Sequence, residues 1–230
     1  MILFIAAAAA FVLLHLLVSG TRVRDALTGV IGQGPYMGLF SLASVGALVW
    51  MIMAFGAARA DPMQAAYWSA TPVTKAIQLG LMLLSFLLVV PGLLTPNPTS
   101  VRQESALEKP NAVQGMLRIT RHPFLWGVAV WAAGHLLVNG DRAGIVLFGS
   151  FLLLAIFGTA SIDAKRKRAL GDKWTAFAAQ TSNLPFAAIL AGRQSLNIAE
   201  IGWWRLLLAV VLYAAMLLAH PYAFGVRALP

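Results

Sequence analysis

Six stretches of this chain are almost purely apolar over about the length that crosses a bilayer: residues 2–19, 36–58, 75–94, 123–139, 143–162 and 201–219. A span of hydrocarbon needs roughly 20 such residues when they coil as a helix. Backbone amides in hydrocarbon must satisfy one another, so an apolar run of this length folds as a helix or not at all. The expected fold class is therefore all-α: a polytopic transmembrane helix bundle of about six spans, in one domain covering 1–230. Composition agrees, with 60% hydrophobic residues and 11% charged ones. The first run has no basic segment ahead of it, and Ser19-Gly20 leads into Thr-Arg-Val-Arg. It reads as a retained membrane helix, not a cleaved signal.

The net charge of +9 invites a nucleic-acid role, but the distribution argues against one. Loops 20–35, 95–122 and 163–200 carry twelve of the Lys and Arg residues. The alternate connections and the tail carry four: Arg59, Lys75, Arg142 and Arg227. Such alternation is the positive-inside signature, so the basic loops are expected in the cytoplasm and both termini in the periplasm of a bacterial inner membrane. The partner implied is the lipid bilayer, not nucleic acid.

Proline and glycine mark the connections. Asp61-Pro62 and Thr71-Pro72 bracket an external segment with Tyr67 and Trp68, which suits an interfacial belt. Pro91, Pro96, Pro98 and Pro110 make 91–111 irregular, with one turn near 100–108. Asn139-Gly140-Asp141-Arg142 reads as the tight turn of a helical hairpin. Residues 163–182 read as a cytoplasmic helix whose Trp174 and Phe177 face the membrane interface.

The chain has no cysteine, which removes disulfides, thiolate metal sites, iron–sulfur clusters and covalently attached haem. It has four histidines. Imidazole in hydrocarbon is costly, so a histidine within a span is a functional candidate. His15 lies in the first run with Ser19 four residues on, after small residues Ala6 to Ala10 that permit close packing. His135 lies in the fourth run between Trp131 and Asn139, each four residues away on one helical face. His122 opens that helix between Arg121 and Pro123, where free amides and Arg121 make an anion site. His220 closes the last run and reads as interfacial. Neutral histidines in a bundle without cysteine suit non-covalent haem b, with arginines pairing its propionates. Zinc is disfavoured, because all eight acidic residues fall in loops or at helix ends.

The stretch Gly115 to His122-Pro123, then Trp131, His135 and Asn139-Gly140-Asp141, then Ser161-Ile-Asp163-Ala-Lys-Arg, resembles the NnrU family. His15, Ser19, Arg22 and Gly38-Leu-Phe-Ser-Leu-Ala-Ser44 resemble its N-terminal half. The resemblance implies a role in denitrification, tied to nitrite and nitric oxide reduction, with a respiratory nitrite or nitric oxide reductase system as the expected partner. A related family, the 15-cis-ζ-carotene isomerases, is haem-dependent. Its two haem histidines correspond to His15 and His135 here, with Trp131, Asn139 and Ser19 around them. Where those isomerases carry a cysteine three residues before the second histidine, this chain has Ala132. Depth favours a rival. His122 should lie nearer His15 than His135 does, since 13 residues of helix separate the two by about 20 Å.

A second resemblance is to isoprenylcysteine and phospholipid methyltransferases. It is carried by Arg121-His-Pro and by Leu170-Gly-Asp-Lys-Trp-Thr-Ala-Phe177 leading to Leu184-Pro-Phe186. It implies an S-adenosylmethionine site on the cytoplasmic face, although the basic run Lys165 to Arg168 stands where that family has acidic residues. The expectations are then a haem b membrane protein, a membrane isomerase or methyltransferase, or a cofactor-free assembly factor for a respiratory reductase.

Overall fold

The computed structural model describes residues 1–229. Helix α1 (Ile2–Leu13) continues into a π-helical turn, Leu14–Val18, and bends by 76° into α2 (Arg22–Ile31). There follow α3 (Gln33–Arg59), α4 (Pro72–Leu94), α5 (Met116–Ile119), α6 (Pro123–Val138), α7 (Arg142–Leu170), α8 (Asp172–Gln180), α9 (Ala187–Leu190) and α10 (Trp203–Phe224). Two short strands, β1 (Ala66–Ser69) and β2 (Asn139–Asp141), pair antiparallel. Local chemistry sets the boundaries. Thr71 and Thr74 cap each other in a reciprocal box with Pro72 in the first turn of α4. Asp141 accepts from the Gly144 amide at the start of α7.

Four helices, α3, α4, α7 and α10, are long and apolar enough to cross a membrane, and a fifth span follows if α1 and α2 count as one bent unit. That is fewer than the six expected. The shortfall lies in α6. Its 16 residues extend about 24 Å, short of a ~30 Å hydrocarbon core. Proline fixes its start, and its expected last residue, Asn139, belongs to β2. Residues 22–31, expected as loop, are helical. Among the 29 residues of α7, the expected span ends at 162, and the last two turns carry its polar, basic residues.

The helices pack in the succession α3, α1, α7, α6, α4, α10. Ala7 and Ala8 are buried beside Phe4, Phe11, Met51 and Ala143, so the small residues of α1 do bring α3 and α7 close. The α4–α6 seam uses glycine on both helices. A Cβ at Gly92 would press on Pro123, and one at Gly127 or Gly134 would overlap Val89 or Met82. Ser85 Oγ donates to the Gly127 carbonyl at 2.8 Å across this seam. These contacts run in opposite directions along the two helices, so α4 and α6 are antiparallel. Phe11 meets Phe151 and Gly20 meets Ser161, so α1 runs parallel to α7 and antiparallel to α6.

Two expectations about the connections change. The segments at 66–69 and 139–141 pair as a ribbon instead of forming separate loops, and Gly140 lies against Trp68. The helix expected over 163–182 breaks at Gly171, whose φ of 53° suits glycine. Trp174 and Phe177 then face inward, 3% exposed, onto Leu117. They fasten α8 to the protein, not to lipid.

Candidate functional site

His15 stands in the π-helical turn after α1. Turns of this kind widen a helix by one residue and cluster at functional positions. His15 Nδ1 is 2.8 Å from the Phe11 carbonyl. On α6, His135 Nδ1 is 2.9 Å from the Trp131 carbonyl. A carbonyl only accepts, so in both rings Nδ1 is the donor and Nε2 takes no part in this bond. Metal-bound histidines are oriented by this kind of bond. Asn139 Nδ2 donates to the His135 carbonyl at 2.8 Å, closing the end of α6.

Aromatic rings connect the two imidazoles. His15 packs at 4.5 Å on Phe11, Phe11 at 5.8 Å on Phe151, Phe151 at 5.5 Å on Trp131, and Trp131 at 4.9 Å on His135. Phe148 stacks on His135 at 4.7 Å, and Phe40 meets His15 edge-on at 5.4 Å. Each histidine is one turn beyond a ring of the shared layer. Because α1 and α6 are antiparallel, the two lie on opposite sides of that layer, about 6 Å away from it in each direction. Both are half-buried. Ser19 follows in the bend, where its amide donates to the Leu14 carbonyl at 3.2 Å.

A second set of polar groups lies on the basic-loop side of the bundle. Arg121 Nη2 and Nε bind Asp163 Oδ2 and Oδ1 at 2.5 and 2.9 Å, a two-pronged ion pair. His122 Nε2 donates to Asp163 Oδ1 at 2.7 Å, and Asn183 Nδ2 approaches Asp163 Oδ2 at 3.3 Å. Burial alone would raise the Asp163 pKa, but His122 and Arg121 outweigh it and hold the carboxyl at about 2. Burial also pushes His122 below the ordinary histidine value, against the pull of Asp163. His122 is 2% exposed, and its Nδ1 is buried without a partner. Nearby, Arg118 Nε and Nη2 bind Glu200 at 2.7 and 2.9 Å, and the Gly115 amide donates to the same carboxylate at 2.9 Å. Arg118 holds the Glu200 carboxyl below the usual range. Gly115 has φ of 56° and packs on the Glu200 carbonyl, so glycine is required there on two counts.

This arrangement gives Arg121 and His122 a partner that position along the chain did not reveal. They were expected as an open anion site, and Asp163 occupies them instead. The carboxylate is 41 residues from His122. The one signal for it was the Asp163 of the Ser161-Ile-Asp163 motif. His220 is at the far end of α10, where its Nδ1 donates to the Val226 carbonyl at 2.7 Å. No group of three or more metal-ligating His, Asp or Glu residues occurs among the described residues.

A polytopic helical membrane protein with two oriented histidines in its apolar helices and an ion-paired polar cap is the class these features define. The chain belongs to the NnrU family: the family model described as "NnrU protein" matches residues 3–228. Among curated proteins it is similar to the chloroplastic 15-cis-zeta-carotene isomerase of Zea mays, 28% identical over 177 residues, covering 76% of this chain and 47% of that protein. The chloroplastic isomerase of the same name from Arabidopsis thaliana is 28% identical over 178 residues, with the same coverage. The chain thus spans about half the length of the curated relatives it matches. No solved structure matches it.

Proposed function

We propose that this protein is a haem b protein of the NnrU type, in which His15 and His135 offer their Nε2 atoms to the iron from opposite sides of the aromatic layer, and which serves a membrane redox step of nitrogen-oxide metabolism. The observation that carries the ligand assignment is the matched pair of Nδ1 bonds to carbonyls four residues back. Each fixes the tautomer that can ligate a metal and aims the ring. The surroundings are apolar and aromatic: Phe11, Phe148, Phe151 and Trp131 present ring faces and edges around the two imidazoles. Bound there, haem supplies reversible one-electron chemistry at the iron. The protein's own contribution is to orient both imidazoles and to exclude water. His122 is the weaker ligand candidate, because its Nε2 is bonded to Asp163 and its Nδ1 is enclosed.

The nitrogen-oxide role and a reductase partner come from the family resemblance, and so does placement in a bacterial inner membrane. The distribution of Lys and Arg puts the basic loops in the cytoplasm and both termini in the periplasm. A second reading, cis–trans isomerisation of a membrane-dissolved polyene, is favoured by the similarity to carotene isomerases and by the share of this chain they match. It uses the same histidines. Ala132 in place of their cysteine weighs for the redox role.

The test is a reduced-minus-oxidised absorption spectrum of the detergent-purified protein, expressed with haem supply. A six-coordinate low-spin haem b signal is expected, lost in His15→Ala and in His135→Ala and kept in His122→Ala and His220→Ala. A colourless wild type, normally folded, defeats the proposal. Retention of the signal in both His15→Ala and His135→Ala defeats the ligand assignment.

A further inference from the structure

Helix α2 begins where two apolar runs end together. The runs of α1 and α7 stop at residues 19 and 162. Gly20 is pressed so close to Ser161 that a Cβ would collide with its hydroxyl. This level is therefore the edge of the hydrocarbon on the basic side of the bundle. From it α2 departs at 76° to α1, so it runs along that edge. Val23, Leu27, Val30 and Ile31 have the i, i+4, i+7, i+8 spacing of one helical face. All four are exposed, Val30 by 85%. Arg22, Asp25 and Gly29 take the opposite face. Asp25 reaches Arg168 at 3.7 Å, and Arg168 stands beyond Ser161 on the far side of the edge. The apolar face consequently turns back toward the hydrocarbon.

Beside α2 the cations outnumber their partners. Arg118, Arg121 and Arg166 each hold a carboxylate of their own: Glu200, Asp163 and Glu104. Arg24 and Arg168 instead share Asp25, at 3.5 and 3.7 Å, and that carboxylate is half exposed. Lys165 pairs with no carboxylate among the described residues. Burial and the like charges of Arg166, Arg24 and Arg168 push its ammonium down to about 8. Both guanidiniums are held in place. Arg24 donates to Gln33 Oε1 at 3.1 Å and lies 5.7 Å over the Tyr36 ring, and Arg168 Nη2 donates to the Gly20 carbonyl at 3.4 Å. Lys167, on nearly the opposite side of α7 from Lys165, is exposed and outside this group.

We propose that α2 lies in the headgroup layer with Val23, Leu27, Val30 and Ile31 among the acyl chains, and that Arg24, Lys165 and Arg168 bind the phosphate of an anionic phospholipid beside it. A zwitterionic lipid brings its own ammonium and gains less from three cations. The occupant is a lipid and not free phosphate, because the cations adjoin an apolar face that acyl chains would cover.

The chain has no cysteine, so Val30→Cys and Arg22→Cys each give one thiol for a bimane label, on the apolar and the polar face of α2. The whole chain is reconstituted into phosphatidylcholine vesicles doped with doxyl-labelled phosphatidylcholine or, at equal mole fraction, doxyl-labelled phosphatidylglycerol. A label at position 30 should be quenched by doxyl lipid and spared by aqueous iodide, and a label at position 22 the reverse. Phosphatidylglycerol should quench the label at position 30 at a lower mole fraction than phosphatidylcholine does. Lys165→Gln and Arg168→Gln should each reduce that preference about fivefold, the worth of one cation near the membrane surface. Lys165→Arg should keep it. Lys167→Gln, an equal loss of charge on the same helix, should leave it nearly unchanged. Iodide quenching at position 30 as strong as at position 22 overturns the interfacial helix. Equal quenching by the two lipids with all cations intact overturns the phosphate site, as does a loss in Lys167→Gln as large as in Lys165→Gln. Circular dichroism and gel filtration before reconstitution confirm that each variant is folded.

Discussion

Two regions of this molecule use histidine in opposite ways. In the polar cap, His122 spends one nitrogen on Asp163, encloses the other, and sits among groups bonded to one another. In the helical bundle, His15 and His135 spend only the nitrogen nearer the backbone and leave Nε2 free. Side-chain chemistry is the same; saturation differs. A saturated polar cluster holds parts of a fold together, while an oriented unsaturated one is ready for something the chain does not contain. The cap joins α5, α6, α7 and the 181–201 segment beside the apolar cluster of Leu88, Met116, Ile119 and Ile201. The bundle needs no polar glue at His15 or His135, since glycine and alanine contacts already bring its helices together.

Asp163→Ala should give the largest effect. It strands the two-pronged Arg121 and the buried His122 at once, at a cost of about 3–5 kcal/mol, read as a fall in thermal unfolding temperature and in monodisperse yield from detergent. If Asp163→Ala is as stable as wild type, the cap is not structural and the comparison breaks at that point.

Gly140→Val tests the other end. The side chain would enter the space of the Trp68 indole, which donates to the Leu136 carbonyl at 3.0 Å. Overpacking of this kind costs about 1–3 kcal/mol. Tryptophan fluorescence and thermal unfolding should shift together, with little change at the cap.

Acid should destabilise the cap in two stages. The folded pKa of His122 is depressed below 6.5, so its contribution is fully present above that value and is lost as pH falls toward the folded value. Asp163 is depressed from 3.8 to about 2, so its contribution is present above 3.8 and is lost as pH falls through about 2. Unfolding midpoints measured from pH 8 to 3 should fall first below 6.5, and His122→Gln should remove that first stage while keeping the second. A flat profile between 6.5 and 4.5 in wild type argues against a neutral buried His122.

The smallest stability effect is expected in the bundle. His135→Phe keeps the stack on Phe148 and leaves no partner unsatisfied except the Trp131 carbonyl, so thermal unfolding of the apoprotein should move by less than about 1 kcal/mol. The spectrum of bound haem should nonetheless vanish. A large loss of apoprotein stability in His135→Phe would make His135 a packing residue and erase the contrast with His122.

The sequence by itself determined that the chain is a helical membrane protein, which loops concentrate its basic charge, and which histidines fall within apolar runs. These follow from hydropathy and charge, which are summed over a segment and survive any packing. The helix start at Pro123 was legible for the same reason, since a proline in the first turn acts locally. Tertiary structure alone decided the rest. It shortened α6, paired residues 66–69 with 139–141, turned Trp174 and Phe177 inward, and gave Arg121 and His122 to a carboxylate some forty residues away. It also brought His15 and His135 to opposite sides of one aromatic layer, and left Lys165 without an anion. Hydrogen-bond saturation is a property of pairs, and pairs distant in sequence meet only when the helices have chosen their neighbours.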